Sequence, residues 1–138
     1  MSFSSTSDIY ASAKEICREV LELDHSIRYV GIANRMGSLI AYEFRKGLIP
    51  LLTEDELRSF ALSTVLRMMT REEYESKLGD VIYTFSLYKK VKRAAIPLPH
   101  HPIFAILTIS FDMVSPHEHI IMDKILPYMK GKNMPIES

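Results

Sequence analysis

Four of the five histidines, His100, His101, His117 and His119, fall within 20 residues, and imidazole is a common ligand for zinc or nickel. Their spacing argues against one shared site. If Ile103–Phe111 is a strand, its ends stand about 30 Å apart at ~3.3 Å per residue, with one His pair at each end. On a helix, His117 and His119 point about 200° apart. Adjacent His100 and His101 diverge in an extended loop. They read as solvated loop and helix-start residues with no metal, an adventitious or intersubunit metal site being the alternative. Lys89, Lys90, Lys92 and Arg93 form the one concentrated charge run. At a hairpin tip such a run protects a sheet edge, or docks an acidic partner or phosphate. Cys17 reads as a small buried hydrophobe, since apolar surroundings raise a thiol pKa. Glu54, Asp55 and Glu56 suit a helix start, where the dipole favours them. Tyr83 and Tyr88 read as sheet-packing residues. There is no Gly-x-Ser-x-Gly, no His-Glu-x-x-His, no Cys-x-x-Cys and no phosphate-cradling glycine loop. The chain reads as a non-enzyme with no cofactor.

The elements that must position these residues centre on Asp80–Phe111. Residues 81–88, 91–96 and 103–111 form three runs rich in β-branched and aromatic side chains, separated by Lys89-Lys90 and by the Pro97–Pro102 break. The 103–111 run is apolar at nearly every position, as a strand buried on both faces is, whereas the other two carry polar residues. Upstream, Ser7 or Asp8 can cap a helix to about Leu23, with Ile9, Ala13, Ile16, Cys17, Val20 and Leu23 on one face. Ser26–Asn34 and Ser38–Phe44 pair as a hairpin across the Asn34-Arg-Met-Gly37 turn, Gly37 being free to take positive φ. Thr53 and Glu56 form a capping box for a second helix. Its apolar arc is unusually wide. Leu57, Phe60, Ala61, Val65 and Met68 make one stripe, and Leu62, Leu66 and Met69 carry it to roughly 240°, about twice what a monomer's surface helix needs. Either another part of the chain covers Leu62, Leu66 and Met69 or a second subunit does, and a dimer is the expectation. Thr70–Glu73 is a further capping box for a short helix that Gly79 closes with a left-handed cap. Ser115, Pro116 and Glu118 fit N-cap, N1 and N3 of the last helix, which Pro127 should kink or end. Antiparallel pairing with the most apolar strand in the centre gives one strand order, 2-1-5-4-3. The fold class is α/β of the α+β type, a five-stranded antiparallel sheet flanked by helices on both faces.

Composition narrows the classes. Apolar residues make up 47% of the 138 and charged residues 25%, which is globular and enough to bury roughly two-thirds of the unfolded surface in one core. Lys+Arg and Asp+Glu number 17 each, so there is no basic excess to neutralise nucleic-acid phosphates, and nucleic acid is not an expected partner. A lone cysteine forms no internal disulfide and suits a reducing compartment. Met1–Asp8 lacks the basic flank and apolar stretch of a signal peptide. No stretch approaches the ~18 apolar residues of a span, so no membrane insertion is expected. The expectation is one cytoplasmic domain over 1–138, with an ordered core of about 8–129 and a loose tail at 131–138.

In this element order, αββαβββα over residues 8–129, the chain resembles the roadblock domains, named for a dynein light chain, and their profilin-like relatives. The Ile27–Phe44 hairpin with its Asn34–Gly37 turn and the block ending in Ile103–Phe111 carry the likeness. Ser26-Ile-Arg-Tyr-Val-Gly31, Lys90-Val-Lys-Arg93 and Ala95-Ile-Pro-Leu98 also resemble an uncharacterised family of small archaeal proteins. The roadblock resemblance implies a non-enzymatic homodimer that scaffolds or regulates a small GTPase. It places Tyr83, Phe85 and Leu87 on a strand edge that pairs across the dimer, with Leu62, Leu66 and Met69 beside it. The extra helix at 70–78 departs from the simple pattern. Residues 26–111 also fit the PAS sensor domains, which share the sheet order, and that likeness implies a small ligand held between sheet and helices.

Overall fold

The computed structural model describes residues 6–132 and Met134. Five strands, β1 (Ile27–Asn34), β2 (Leu39–Phe44), β3 (Thr84–Leu87), β4 (Lys92–Pro97) and β5 (Phe104–Phe111), form one antiparallel sheet in the order 2-1-5-4-3. Every residue of β5 is buried, so the most apolar strand is the central one. Helix α1 (Thr6–Leu21) buries Ala13, Ile16, Cys17 and Val20 against one face. The C-terminal helical segment joins it there: α4 (His117–Ile120), a π turn (Ile121–Ile125) and α5 (Leu126–Gly131). The other face is covered by α2 (Glu54–Arg71) over Tyr29, Ala33, Ala95, Ala105 and Ile106. A 3-10 turn (Glu72–Tyr74) and α3 (Glu75–Leu78) extend α2.

Local chemistry accounts for most boundaries. Asn34 Oδ1 accepts from the amides of Met36 and Ser38, both at 3.0 Å, and Gly37 takes φ +81°. That turn fixes the β1–β2 register. Thr53 Oγ1 accepts from the Glu56 amide at 3.2 Å while Glu56 Oε1 accepts from the Thr53 amide at 2.9 Å, closing the expected box.

Four expectations need correction. The box at Thr70 does not form, because the Thr70 hydroxyl donates back to the Arg67 carbonyl and the helical path continues through it. Gly79 does end the extension with φ +84°, but at ψ 172°, outside the left-handed helical region. Ser115 is not an N-cap: α4 starts at His117 with no side-chain cap, and the buried Ser115 hydroxyl has no partner. Its carbonyl instead accepts from Lys92 Nζ at 2.9 Å. Pro127 neither ends nor breaks the segment. The π turn directly before it absorbs the missing amide and the ring's clash with the preceding turn. Strand β3 is also shorter than the 81–88 run. Of the tail, residue 133 and residues 135–138 lie outside the described ones. Gly131 is helical, Lys132 pairs with Glu15 and Glu19, and Met134 is buried.

Candidate functional site

Helix α2 presents an apolar outer surface. Leu62, Leu66 and Met69 are 45%, 54% and 53% exposed, although the sheet side of the same helix buries Leu57, Ala61 and Val65. Leu62 is not wholly free, since it lies against Gly37, where an added Cβ would collide with its side chain. Beside α2 runs β3, the edge strand. Thr84 pairs with Ala95 and Phe85 with Ala94, so residues of β3 alternate between the two sheet faces. Thr84 and Ser86 face α2. Phe85 faces the opposite layer, its ring stacked on His117 at 4.0 Å, and Tyr83 packs against the α1-side core. Leu87 is exposed. The structure sets Tyr83 and Phe85 on the sheet's other side, puts Leu62 on the flank of α2 turned to the β1–β2 turn, and lines the β3 side of α2 with Phe60, Thr64, Arg67 and Arg71.

The basic run is divided by the same alternation. Lys89 and Lys90 are exposed at the β3–β4 turn. Lys92 reaches the Ser115 carbonyl on the α1 side, whereas Arg93 turns under α2, its guanidinium carbon 4.1 Å from the Phe60 ring centroid and 5.5 Å from that of Tyr29. Lys89 and Lys90 flank an open groove of about 360 Å³ between the sheet, the Thr53 end of α2 and the Leu48–Leu52 loop. Tyr29, Phe44, Leu57 and Phe60 line it. Sequence reading missed this groove. Its one visible signal was the apolar Leu48-Ile-Pro-Leu-Leu52, which leaves Ile49 84% exposed.

The remaining chemistry-bearing residues are spoken for locally. His101 Nδ1 accepts from the amides of Ile103 and Phe104 at 3.1 and 2.9 Å. Burial, with the Arg35 charge adding to it, pushes its pKa down to about 4. His119 pairs with Asp123 at 2.7 Å one turn on, and His100 is exposed. The four histidines do not converge, and among the described residues no group of three His, Cys, Asp or Glu could hold a metal ion. Cys17 is fully buried, and burial followed by the Glu43 charge pushes its thiol up to about 12. Among the described residues no helix is long and apolar enough to cross a membrane.

Solved structures share this arrangement of layers. The gliding protein MglB of Thermus thermophilus aligns over 97% of this chain and 88% of its own, with TM-score 0.65 and 16% identity. MglB in a tetrameric arrangement gives 0.66 over the same shares, again at 16% identity. A Roadblock/LC7 domain from Streptomyces avermitilis aligns over 88% of this chain and 98% of its own, with TM-score 0.63 and 8% identity. The fold is roadblock-like. By sequence, neither a family model nor a curated protein matches. In this chain α3 follows α2, and Leu62, Leu66 and Met69 on the outer side of α2 are exposed.

Proposed function

We propose that the chain is a non-enzymatic protein-interaction module that acts as a homodimer. One observation carries this reading: an apolar helix face, Leu62, Leu66 and Met69, lies exposed on α2. Desolvating that face is favourable at about 25 cal/mol per Å² of apolar surface, and the β3 edge supplies unpaired backbone groups for strand addition. The roadblock-like fold supports extending the reading to a small GTPase as partner, with Lys89 and Lys90 positioned to meet acidic side chains. Native mass spectrometry of the full chain tests it. We expect a dimer at micromolar concentration, a monomer for Leu66→Glu, and a mixed complex with a purified small GTPase that weakens in K89E/K90E. A monomeric wild-type protein would sink the reading. The apolar groove favours a second reading, a small-ligand sensor, which the same spectra would reveal as non-covalent extra mass.

A further inference from the structure

Arg67 and Arg71, one turn apart on α2, and Arg93 on β4 line one small pocket together with Thr64, Thr84 and Ser86. The pocket holds about 60 Å³, more than the ~10–15 Å³ a single water needs, and suits a small polyatomic ion. No acidic residue lines it. Among the described residues, none of the three guanidiniums has a carboxylate partner. Arg67 donates to the Thr64 hydroxyl at 3.3 Å, and Arg93 has only the ring faces of Phe60 and Tyr29. Burial lowers the Arg93 pKa, and the Arg67 charge adds to that effect.

Bringing Arg67 close to Arg93, with Arg71 on the same pocket wall, is unfavourable unless something opposes the like charges. The chain has little to offer. It contains no Asp or Glu from Leu57 to Arg71, nor from Val81 to Phe111, although its charges balance overall. A second copy docked by β3 and the Leu57–Arg71 part of α2 would bring those same acid-free segments. A bound anion is the ligand that would supply the counter-charge. A guanidinium is a planar fork of donors that matches oxyanions bidentately. Three of them beside the Thr84 and Ser86 hydroxyls offer more donors than a two-oxygen carboxylate accepts, and a tetrahedral phosphate accepts more. We propose that this pocket binds a phosphate group, either as inorganic phosphate or as the head of a small phosphomonoester.

The proposal is tested by NMR titration of the full chain, following backbone amides and the arginine Nε–Hε signals at ~0.15 M NaCl, where non-specific attraction is screened. The probes are inorganic phosphate, phenyl phosphate and acetate. We expect saturable shifts at Arg93, Thr84 and Ser86 with both phosphates. Tighter binding of phenyl phosphate would identify an ester as the source, and equal binding the free ion. Acetate should bind at least tenfold more weakly. R67Q/R71Q, at two exposed positions, should weaken phosphate about tenfold or more, the loss expected of two charged hydrogen bonds. R67K/R71K should recover part of it. Arg93→Gln, if it folds, should abolish binding. Shifts that do not saturate, that persist in R67Q/R71Q, or that acetate reproduces would overturn the proposal. So would shifts that follow protein concentration instead of phosphate, since a second copy would then be the occupant. Repeating the titration on Leu66→Glu keeps the two readings apart: a monomer that still binds phosphate supports both, and a persistent dimer refutes only the subunit contact.

Discussion

Acidification should loosen this protein through His101 before its carboxylates are touched. The side chain is 8% exposed in the β4–β5 connection and stacks on Phe104 at a ring separation of 4.4 Å. Its Nδ1 accepts two backbone amides, so that nitrogen carries no proton in the folded state. Burial and then the Arg35 charge depress the pKa from 6.5 to about 4. The unfolded chain therefore binds a proton between these values while the folded chain does not. Stability contributed by neutral His101 is complete above about pH 6.5 and is lost as pH falls towards 4. At about 1.4 kcal/mol for each pH unit the whole loss is about 3 kcal/mol, with roughly 2 kcal/mol gone by pH 5. The carboxylates held down by partners act lower. Burial opposes ionised Asp24, but bonds from Lys124 and Ser26 hold its pKa to about 2, so its contribution is lost only as pH falls from about 4 towards 2. His117 is also depressed, by burial and then Lys92, and adds to the same slope. The assay is accordingly a comparison: urea unfolding from pH 7.5 to 4.5 of wild type and His101→Asn, whose Oδ1 can replace the acceptor without titrating. The variant should lose about 1 kcal/mol at pH 7 with the ring contact, and should have a flatter profile. Parallel profiles for the two proteins would refute the assignment.

Gly37→Ala should cost about 2–3 kcal/mol in urea unfolding, because φ +81° penalises a side chain and its Cβ would meet Leu62, whose Cα would lie 3.1 Å away. A loss below ~0.5 kcal/mol would show that α2 does not bear on the turn. Cys17 at a pKa of about 12 should react with a maleimide at pH 8 at least ~10³-fold more slowly in the native chain than in urea, from its thiolate fraction alone. Comparable rates would mean that the α1–sheet layer opens freely.

The sheet was legible because its signals were redundant. Apolar continuity in β5, the Asn34–Gly37 turn and the short connections each demanded the same strand order. Two helix starts misled because a capping motif describes only local chemistry. At Thr70 nothing in the sequence broke the helix already running, so its hydroxyl bonded back into that helix. At Ser115 a strand residue 23 positions away, Lys92, took the carbonyl. The open face of α2 could be read from its apolar arc alone. The arginine pocket could not, since it depends on the β3–β4 register placing Arg93 opposite Ser86 and on which sheet face α2 covers. Its available signal was an absence, the two long stretches without an acid. The division of Lys92 from Arg93 was derivable, since neighbours on a strand always point apart.

The two layers differ in how the helices cover the sheet. Under α1 and the C-terminal helices the sheet offers Ile27, Ile32, Ile96, Leu107 and Phe111, all fully buried. Those large side chains fill the space between sheet and helices, and two helical elements cover it. Under α2 the sheet offers the small Ala33, Ala95 and Ala105 beside Tyr29 and Ile106, and a single helix covers it. Its flanks stay open, with the apolar groove at the Thr53 end and the arginine pocket beside β3. Arg93 and Phe60 line both. A ligand or partner engaging either flank would therefore press on the same cation–aromatic contact, and through Phe60 on the helix that carries Leu62, Leu66 and Met69.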